Sequence, residues 1–581
     1  MAKYATIRRG CARLLGSLLL TPLLLTTASC SDWDDHYDAD TQLLDSQKGS
    51  LWENISKKGE LSQFASLLQQ TGYGDVLNQP QTYTVWAPAN NSFDYESLRS
   101  TNQERLVREF VENHIARNLY PASGNVDQKV LMLNDKMMHF QGAGSYHIQD
   151  VNVSQANVSA GNGTLHVLQS QIPFLPNIYE SLNNETYPID SISDFYHKYD
   201  ISVLNTAKSV PGPTKNGEIT YLDSIIEKDN SLYYQFNAYI NREDSNYTML
   251  LPTNEAWLKA KNAVSQYYNY VESFDVNDSV ASMSKGHITR ARINAEYLRD
   301  SLVQHFLLDN LTYNNNIYDN TGLKTLQAGE TLQCDSLTST TFAKLYSTDA
   351  AALFQDAQRV DKSNGAVWVA DSLNIPHWTT WCPELRQEAE SNVLLAGVFN
   401  GSYEQRVVNA TAQNPAITGA ISSRRYLEIS PASSSSNPEV AFYLRGVRSA
   451  TYNVYVVTVP ANITNANRDT LPNRLIVTMC YAKANGALDE MRMRSPVTNS
   501  NVHLTNPSKI DTLCLGEFTF PTAYYGLGSS SQPYYPYIRL RSNVTNAQSA
   551  SYDRTLRIDR IILRPKMLDE YLQAHPDYKY N

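Results

Sequence analysis

One stretch of this chain is written twice. Tyr83–Phe93 reads YTVWAPANNSF and Tyr247–Trp257 reads YTMLLPTNEAW, matched position by position. Repetition of this kind constrains the fold more than any other feature, because each copy must be one unit of the same architecture. In both, Thr84-Val85-Trp86 or Thr248-Met249-Leu250 favours a strand and Pro88 or Pro252 ends its ladder. Asn90 or Asn254 is then placed to cap the helix that follows. Two further pairs recur in the same order. LVREFVENHI (Leu106–Ile115) and LRDSLVQHFL (Leu298–Leu307) have apolar residues at helical spacing and a histidine near the end, His114 and His305. NGTLHVLQSQIPF and NGAVWVADSLNIP open on Asn162-Gly163 and Asn364-Gly365, a hairpin turn signal, and continue as strands. Residues about 50–180 and 190–380 are thus predicted to be a tandem repeat of one α+β unit.

The Pro-x-Asn motif, the helix histidine and the closing Asn-Gly hairpin resemble the conserved boxes of fasciclin domains. The resemblance implies two fasciclin-like domains, residues 51–180 and 190–382, without catalysis and with a role in cell adhesion and in matrix or glycan contact. The second copy departs from the first in a longer stretch between Trp257 and His305 and in Trp368 at the position of His166. The motif residues read as structural. A proline ends a buried strand, an asparagine starts a helix, and His114 and His305 satisfy buried backbone groups.

After Trp381-Cys382-Pro383 the texture changes to short runs such as EVAFYLRGV, YNVYVVTVPAN, RLIVTMCYAKA, YIRLRSN and TLRIDRIILRP, separated by Asn, Ser, Gly and Pro. Regular short strands with turn signals predict an all-β sandwich over 386–581. It resembles carbohydrate-binding jelly-roll modules. Tyr524, Tyr525, Tyr534, Tyr535 and Tyr537 flank Gly526–Ser531 and are the candidate glycan-binding residues, since aromatic faces stack on sugar C–H surfaces. The alternative is that these tyrosines point into the sandwich. The linkers near 181–190 and 383–390 are short, which limits interdomain freedom.

At the other end, Lys3, Arg8, Arg9 and Arg13 precede a leucine-rich run, Leu14–Leu25, and the small residues Thr26-Thr27-Ala28-Ser29 before Cys30. This is a secretory signal over residues 1–29, its apolar run well short of the roughly 20 residues a membrane span needs. Ala28-Ser29-Cys30 resembles the lipobox of bacterial lipoproteins, with Thr27 where that pattern usually has leucine. The resemblance implies lipid attachment at Cys30. Residues 30–50, opening SDWDDHYDAD after the cysteine, form an acidic tether. The tether is similar to a signal that sends Gram-negative lipoproteins to the outer face of the outer membrane.

Net charge is −10, and losing the four basic residues of the signal takes it to −10 − 4 = −14, which argues against nucleic acid as a partner. Cys334, Cys382, Cys480 and Cys514 remain, either as up to two bridges, within 334–382 and within 480–514, or as free thiols. No C-x-x-C, G-x-S-x-G, H-E-x-x-H or phosphate-binding glycine loop is present, so no metal, cofactor or catalytic residue is expected. The expectation is a non-catalytic surface lipoprotein for adhesion to extracellular macromolecules. The alternative is a glycan-binding protein that captures polysaccharide through its C-terminal sandwich, in company with an outer-membrane transport complex.

Overall fold

A computed structural model describes residues 49–183, 186–204, 206, 210–215, 217–223, 226–277, 288–527 and 536–580. The signal segment, Cys30 and the tether up to residue 48 lie outside the described residues, as do Tyr534 and Tyr535. The chain divides into two compact units, Met1–Phe174 and Leu175–Asn581.

In the first unit, helices α1 (Leu51–Lys57) and α2 (Ser62–Gln70) precede β1 (Tyr83–Pro88), β2 (Ile115–Arg117), β3 (Asn125–Leu131), β4 (Met137–Ala143), β5 (Ser145–Ile148), β6 (Val151–Ala160) and β7 (Gly163–Leu168). They form a seven-stranded sheet in the order β2-β1-β7-β6-β5-β4-β3. β1 is buried at every position because both its faces are covered. Tyr83, Val85 and Ala87 meet Leu51, Ile55, Phe64 and Leu68 of the helices on one side. Trp86 meets Met138, Phe140 and Ile148 on the other, as the period of two requires.

The second unit contains α3 (Asp190–His197), β8 (Tyr247–Pro252), α4 (Asn254–Ser265), α5 (Ala295–Leu308), β9 (Thr312–Asn314), β10 (Gln358–Lys362) and β11 (Gly365–Ala370). Its four-stranded sheet runs β9-β8-β11-β10, and the motif residues keep the register of the first unit. Tyr83 pairs with Gly163 in parallel and Tyr247 pairs with Gly365 in parallel. Val85 lies opposite Ile115, and Met249 lies opposite Thr312.

Asn162 and Asn364 occupy the same role. The Asn162 carboxamide accepts from Leu51 N (2.7 Å) and donates to the carbonyls of Leu77 (2.8 Å) and Gln79 (2.7 Å). Asn364 accepts from Ile178 N (2.9 Å) and donates to Ile240 (2.7 Å) and Arg242 (3.0 Å). The second clamp thus reaches back to Ile178, and a 3₁₀ turn at Glu180–Asn183 stands within the stretch read as a linker. Neither Asn-Gly pair is the two-residue turn itself. Ala160 pairs with Gly163 and Lys362 with Gly365, so the turns are Gly161-Asn162 and Ser363-Asn364, and each glycine opens the returning strand. A Cβ on Gly163 would fall 2.0 Å from Tyr83 O and one on Gly365 1.8 Å from Tyr247 O.

Three other expectations are corrected. Asn90 and Asn254 do not cap the helices that follow them. Asn90 Oδ1 accepts from Gln63 N in the first turn of α2 (3.0 Å), and Asn254 Oδ1 accepts from Ser191 N in the first turn of α3 (2.8 Å). The helix after Pro252 is capped by Thr253 instead. The stretch 106–115 is not one helix. Past Leu106 it passes through a π turn (Val107–Val111) and a 3₁₀ turn (Glu112–His114) and is already strand at Ile115. His114 is buried, its Nδ1 bonded to Phe110 O (2.6 Å) and its Nε2 accepting from Ile172 N (2.9 Å). His305 is not its counterpart. Since Ile115 corresponds to Thr312 in register, Leu311 stands where His114 does, and His305 is one-third exposed beside Gln235 and Asp309.

The C-terminal residues form two packed six-stranded antiparallel sheets. One runs β14 (Gly401–Val407), β15 (Arg425–Pro431), β22 (Leu556–Pro565), β17 (Thr451–Thr458), β20 (Asp511–Thr519), with β12 (Leu385–Glu388) also on β22. The other runs β13 (Leu395–Phe399), β16 (Glu439–Tyr443), β21 (Tyr537–Ser542), β18 (Arg474–Ala482), β19 (Leu488–Arg492), with a short strand at His503–Leu504 on β18. This sandwich shares one continuous core with the residues of the four-stranded sheet and its helices. Arg448, 4% exposed, lies over the rings of Tyr525 (4.4 Å) and Phe306 (5.5 Å), and Tyr268 stacks on Phe306 (5.2 Å).

Asn162→Ala leaves one amide and two carbonyls without their partner and is expected to lower stability by about 2–4 kcal/mol. The denaturant midpoint of the purified chain measures it, and a shift near zero would contradict the clamp.

Candidate functional site

The repeat motifs close on themselves. Pro88 and Pro252 end buried strands, Asn90 and Asn254 hold helix amides, and Asn162 and Asn364 hold loop carbonyls. Burial lowers His114 to about 4, and His166, stacked on Trp86 at 5.6 Å with its Nε2 at Tyr120 O, is lowered by burial to about 4 as well. Both are neutral near pH 7. Trp368 stands in register where His166 does and packs on Phe354 (5.2 Å). None of these side chains is offered to a ligand.

The tyrosine cluster also divides. Tyr524 is 3% exposed and its hydroxyl accepts from Ala482 N (2.6 Å). Tyr525 is packed beneath Arg448 and against Phe306 (5.3 Å), and its carbonyl accepts from Tyr270 Oη (2.7 Å). Both therefore belong to the core of the sandwich and its junction with α5, not to a binding rim. Tyr537, half-buried on β21, stays available.

Sequence reasoning missed the surface on which Tyr537 stands. The outer face of the first sheet is covered by α6 (Lys566–Ala574) and by an apolar cluster that includes Val408, Ile417, Tyr426 and Ile463. The second sheet carries instead a grid fixed by strand register. Tyr443, Tyr537, Cys480 and Glu490 form one row, Ala441, Arg539, Thr478 and Arg492 the next, and Glu439, Arg541 and Ile476 a third. Rows are ~7 Å apart and columns ~4.8 Å apart. The small side chains leave a trough of about 210 Å3 lined by Thr478, Arg492, Arg539, Arg541, Glu439 and Glu490. Arg539 bridges Glu490 and, at 3.7 Å, Glu439. Burial raises the Glu439 carboxyl above the ordinary range, against the pull of Arg539 and Arg541. The strand alternation of EVAFY and YIRLRS could have given this face, had the outward residues been read as well as the inward ones.

A larger groove, about 780 Å3, lies between the hairpin holding Lys344 and Tyr346 and the C-terminal tail. Its rings are already occupied. His575 stacks on Tyr571 at 4.1 Å, Trp378 packs on Tyr571 at 4.9 Å, and Lys344 lies over Tyr346 at 4.8 Å.

Cys334, Cys382, Cys480 and Cys514 are all free. Burial pushes Cys382 up to about 11 and Cys480 up to about 12, so neither thiol ionises near neutrality. Among the described residues no group of three or more His, Cys, Asp or Glu is placed to hold a metal ion. No helix among them is long and apolar enough to cross a membrane.

The fasciclin domain family model matches residues 59–173. No curated protein matches the chain. Among solved structures, a FAS1 domain pair from the insect cell adhesion molecule Fasciclin I is similar at 13% identity and a TM-score of 0.19, covering 55% of this chain and 99% of that one. A Paenibacillus xanthan lyase is similar at 16% identity and a TM-score of 0.19, covering 31% of this chain and 13% of that one. The CBM22-1 xylan-binding domain of a Paenibacillus barcinonensis protein is similar at 14% identity and a TM-score of 0.18, covering 31% of this chain and 92% of that domain.

Asp309, at the end of α5, is raised from 3.8 to about 7 by burial. The folded chain holds that proton where the unfolded chain releases it, so its contribution to stability is complete below about pH 4 and is lost as pH rises through about 7. Asp309→Asn is expected to flatten this part of the profile, narrowing the fall in thermal midpoint between about pH 5 and about pH 8. Parallel profiles for parent and variant would contradict it.

Proposed function

We propose that this chain is a non-catalytic lipoprotein, anchored through Cys30 to the outer membrane of a Gram-negative cell and facing outward, that binds extracellular polysaccharide through the outer face of the second sheet of its C-terminal sandwich. The observation that carries the reading is the contrast between the two kinds of domain. The motif asparagines are engaged internally and the motif prolines end buried strands, whereas the second sheet presents Tyr443, Tyr537 and a charged trough to its outer side. In this reading residues 190–382 are a second fasciclin-like repeat, supported by the equal strand register and by Asn364 in the role of Asn162. In this reading the captured polymer passes to an outer-membrane transport complex.

A second reading, adhesion to a protein through the fasciclin-like repeats, is favoured by the family match over residues 59–173. Residues Ser31–Asn581 tested on an array of plant, microbial and host glycans together with matrix proteins separate the two. Polysaccharide binding is expected, falling about tenfold or more in Tyr443→Ala/Tyr537→Ala, since stacked rings contribute about 1.4 kcal/mol or more. Signal on matrix proteins alone would favour adhesion. Removing the sandwich is a poorer test, because it would expose the shared core around Phe306 and Trp381.

The anchor has its own test. The full precursor expressed in a Gram-negative host with labelled palmitate is expected to incorporate label and fractionate with membranes, and Cys30→Ser to do neither. Equal labelling of the two would refute attachment at that cysteine.

A further inference from the structure

Resting on the glycan-binding reading, we propose that the outer face of the second sheet selects anionic polysaccharides, receiving uronate carboxylates or sulfate esters on Arg492, Arg539 and Arg541. The chain as a whole carries a net charge of −10, so a face on which guanidinium groups outnumber carboxylates runs against its composition. Three arginines share the grid with two acids, Glu439 and Glu490. Both acids are engaged by Arg539. Arg541 stands opposite Glu439 in register yet makes no ion pair with it, and acts on it only at longer range. Arg492, exposed at the end of β19, likewise has no hydrogen bond or ion pair from its side chain among the described residues.

Geometry suits a chain-like anion. Arg541 lies two residues from Arg539 on one strand, ~7 Å away, and Arg492 lies two strands from Arg539 across Thr478, ~10 Å away. That spacing is about the length of a disaccharide, so acid groups on neighbouring or alternate sugars could meet successive arginines. The guanidinium fork bonds carboxylate or sulfate oxygens in pairs, with charge-assisted bonds about twice as strong as neutral ones. A neutral polymer would displace water from these arginines and offer only hydroxyls in return. Thr478 and Ile476, which line the trough between the arginines, give the floor on which a sugar ring can lie.

The test uses residues Ser31–Asn581 and four soluble polymers: polygalacturonate, its fully methyl-esterified form, dextran sulfate and dextran. Titration calorimetry at low and moderate salt is expected to give at least about tenfold tighter binding to an anionic polymer than to its neutral counterpart, weakening as salt rises. Preference for polygalacturonate identifies the carboxylate as the recognised group, and preference for dextran sulfate identifies the sulfate. Arg492→Gln/Arg541→Gln should remove most of the preference. If the double variant does not fold, Arg492→Gln alone, at an exposed position, should lose part of it. Equal affinity for charged and neutral polymers, or an anion preference unchanged by the variants, overturns the inference. In the first case, neutral binding that is lost in Tyr443→Ala/Tyr537→Ala leaves the glycan reading standing. No binding to any polysaccharide, here or on the array, removes both.

Discussion

One carboxamide at a hairpin tip clamps each of the two parallel strand pairs that carry the Asn-Gly motif. The parallel pairing of β1 with β7, and of β8 with β11, joins strands separated by most of their unit, and parallel neighbours always require such a crossover. The crossover closes where the returning strand begins. There Asn162 or Asn364 ties the turn to the amide of a residue near the unit's start and to two carbonyls just before its first motif strand. Asparagine is the residue whose short side chain offers an acceptor and two donors in one plane. Aspartate would offer no donor to those carbonyls, and glutamine would overreach them. The glycine that follows is required for a separate reason, since the carbonyl of Tyr83 or Tyr247 occupies the space of a Cβ.

The Pro-x-Asn motif works in the same direction, toward the beginning of the unit. Asn90 and Asn254 serve the first turns of α2 and α3, with their own amides bonded to the carbonyls of Glu60 and Pro188. Each end of the motif strand is therefore anchored to the opening helices, one end through the hairpin asparagine and the other through the motif asparagine. Because these polar atoms are engaged locally, the conspicuous motif residues describe folding.

Much of this was legible from the residues alone. Strand-favouring residues ended by a proline gave β1 and β8, alternation after Asn-Gly gave β7 and β11, and the short apolar runs after residue 385 gave β16, β17, β18, β21 and β22 among the strands of the two C-terminal sheets. What local pattern cannot give is the partner of a polar side chain. Asn90 sits beside one helix in sequence and caps another that precedes it. His305 matched His114 by helical periodicity, but only the strand that follows fixes the alignment, and it sets the histidine nearly two turns too early. Tyr524 and Tyr525 had the look of a loop rim. Tyr524 turns inward to Phe520 and Ala482 of the sandwich, and the side chains packed on Tyr525, Phe306 and Tyr270, lie more than two hundred residues away in sequence, where no turn signal points.

The two sheets of the sandwich show how an exposed β surface differs when it is merely solvated. On the edge of the first sheet Arg406 reaches both Glu404 and Glu428 at 2.9 Å, so the cation is compensated by its neighbours across and along the strands. Cross-strand pairing of this kind is the ordinary way for a charged sheet surface to remain stable and inert. The second sheet had the same means available, with Glu439 opposite Arg541 and Glu490 beside the arginines, yet both acids turn to Arg539. Two guanidinium groups are left beside the trough that Thr478 and Ile476 line. A surface selected only to be wet would compensate them. One that must receive an acid from outside keeps them in reserve, already positioned by the rigid sheet and requiring no rearrangement to bind.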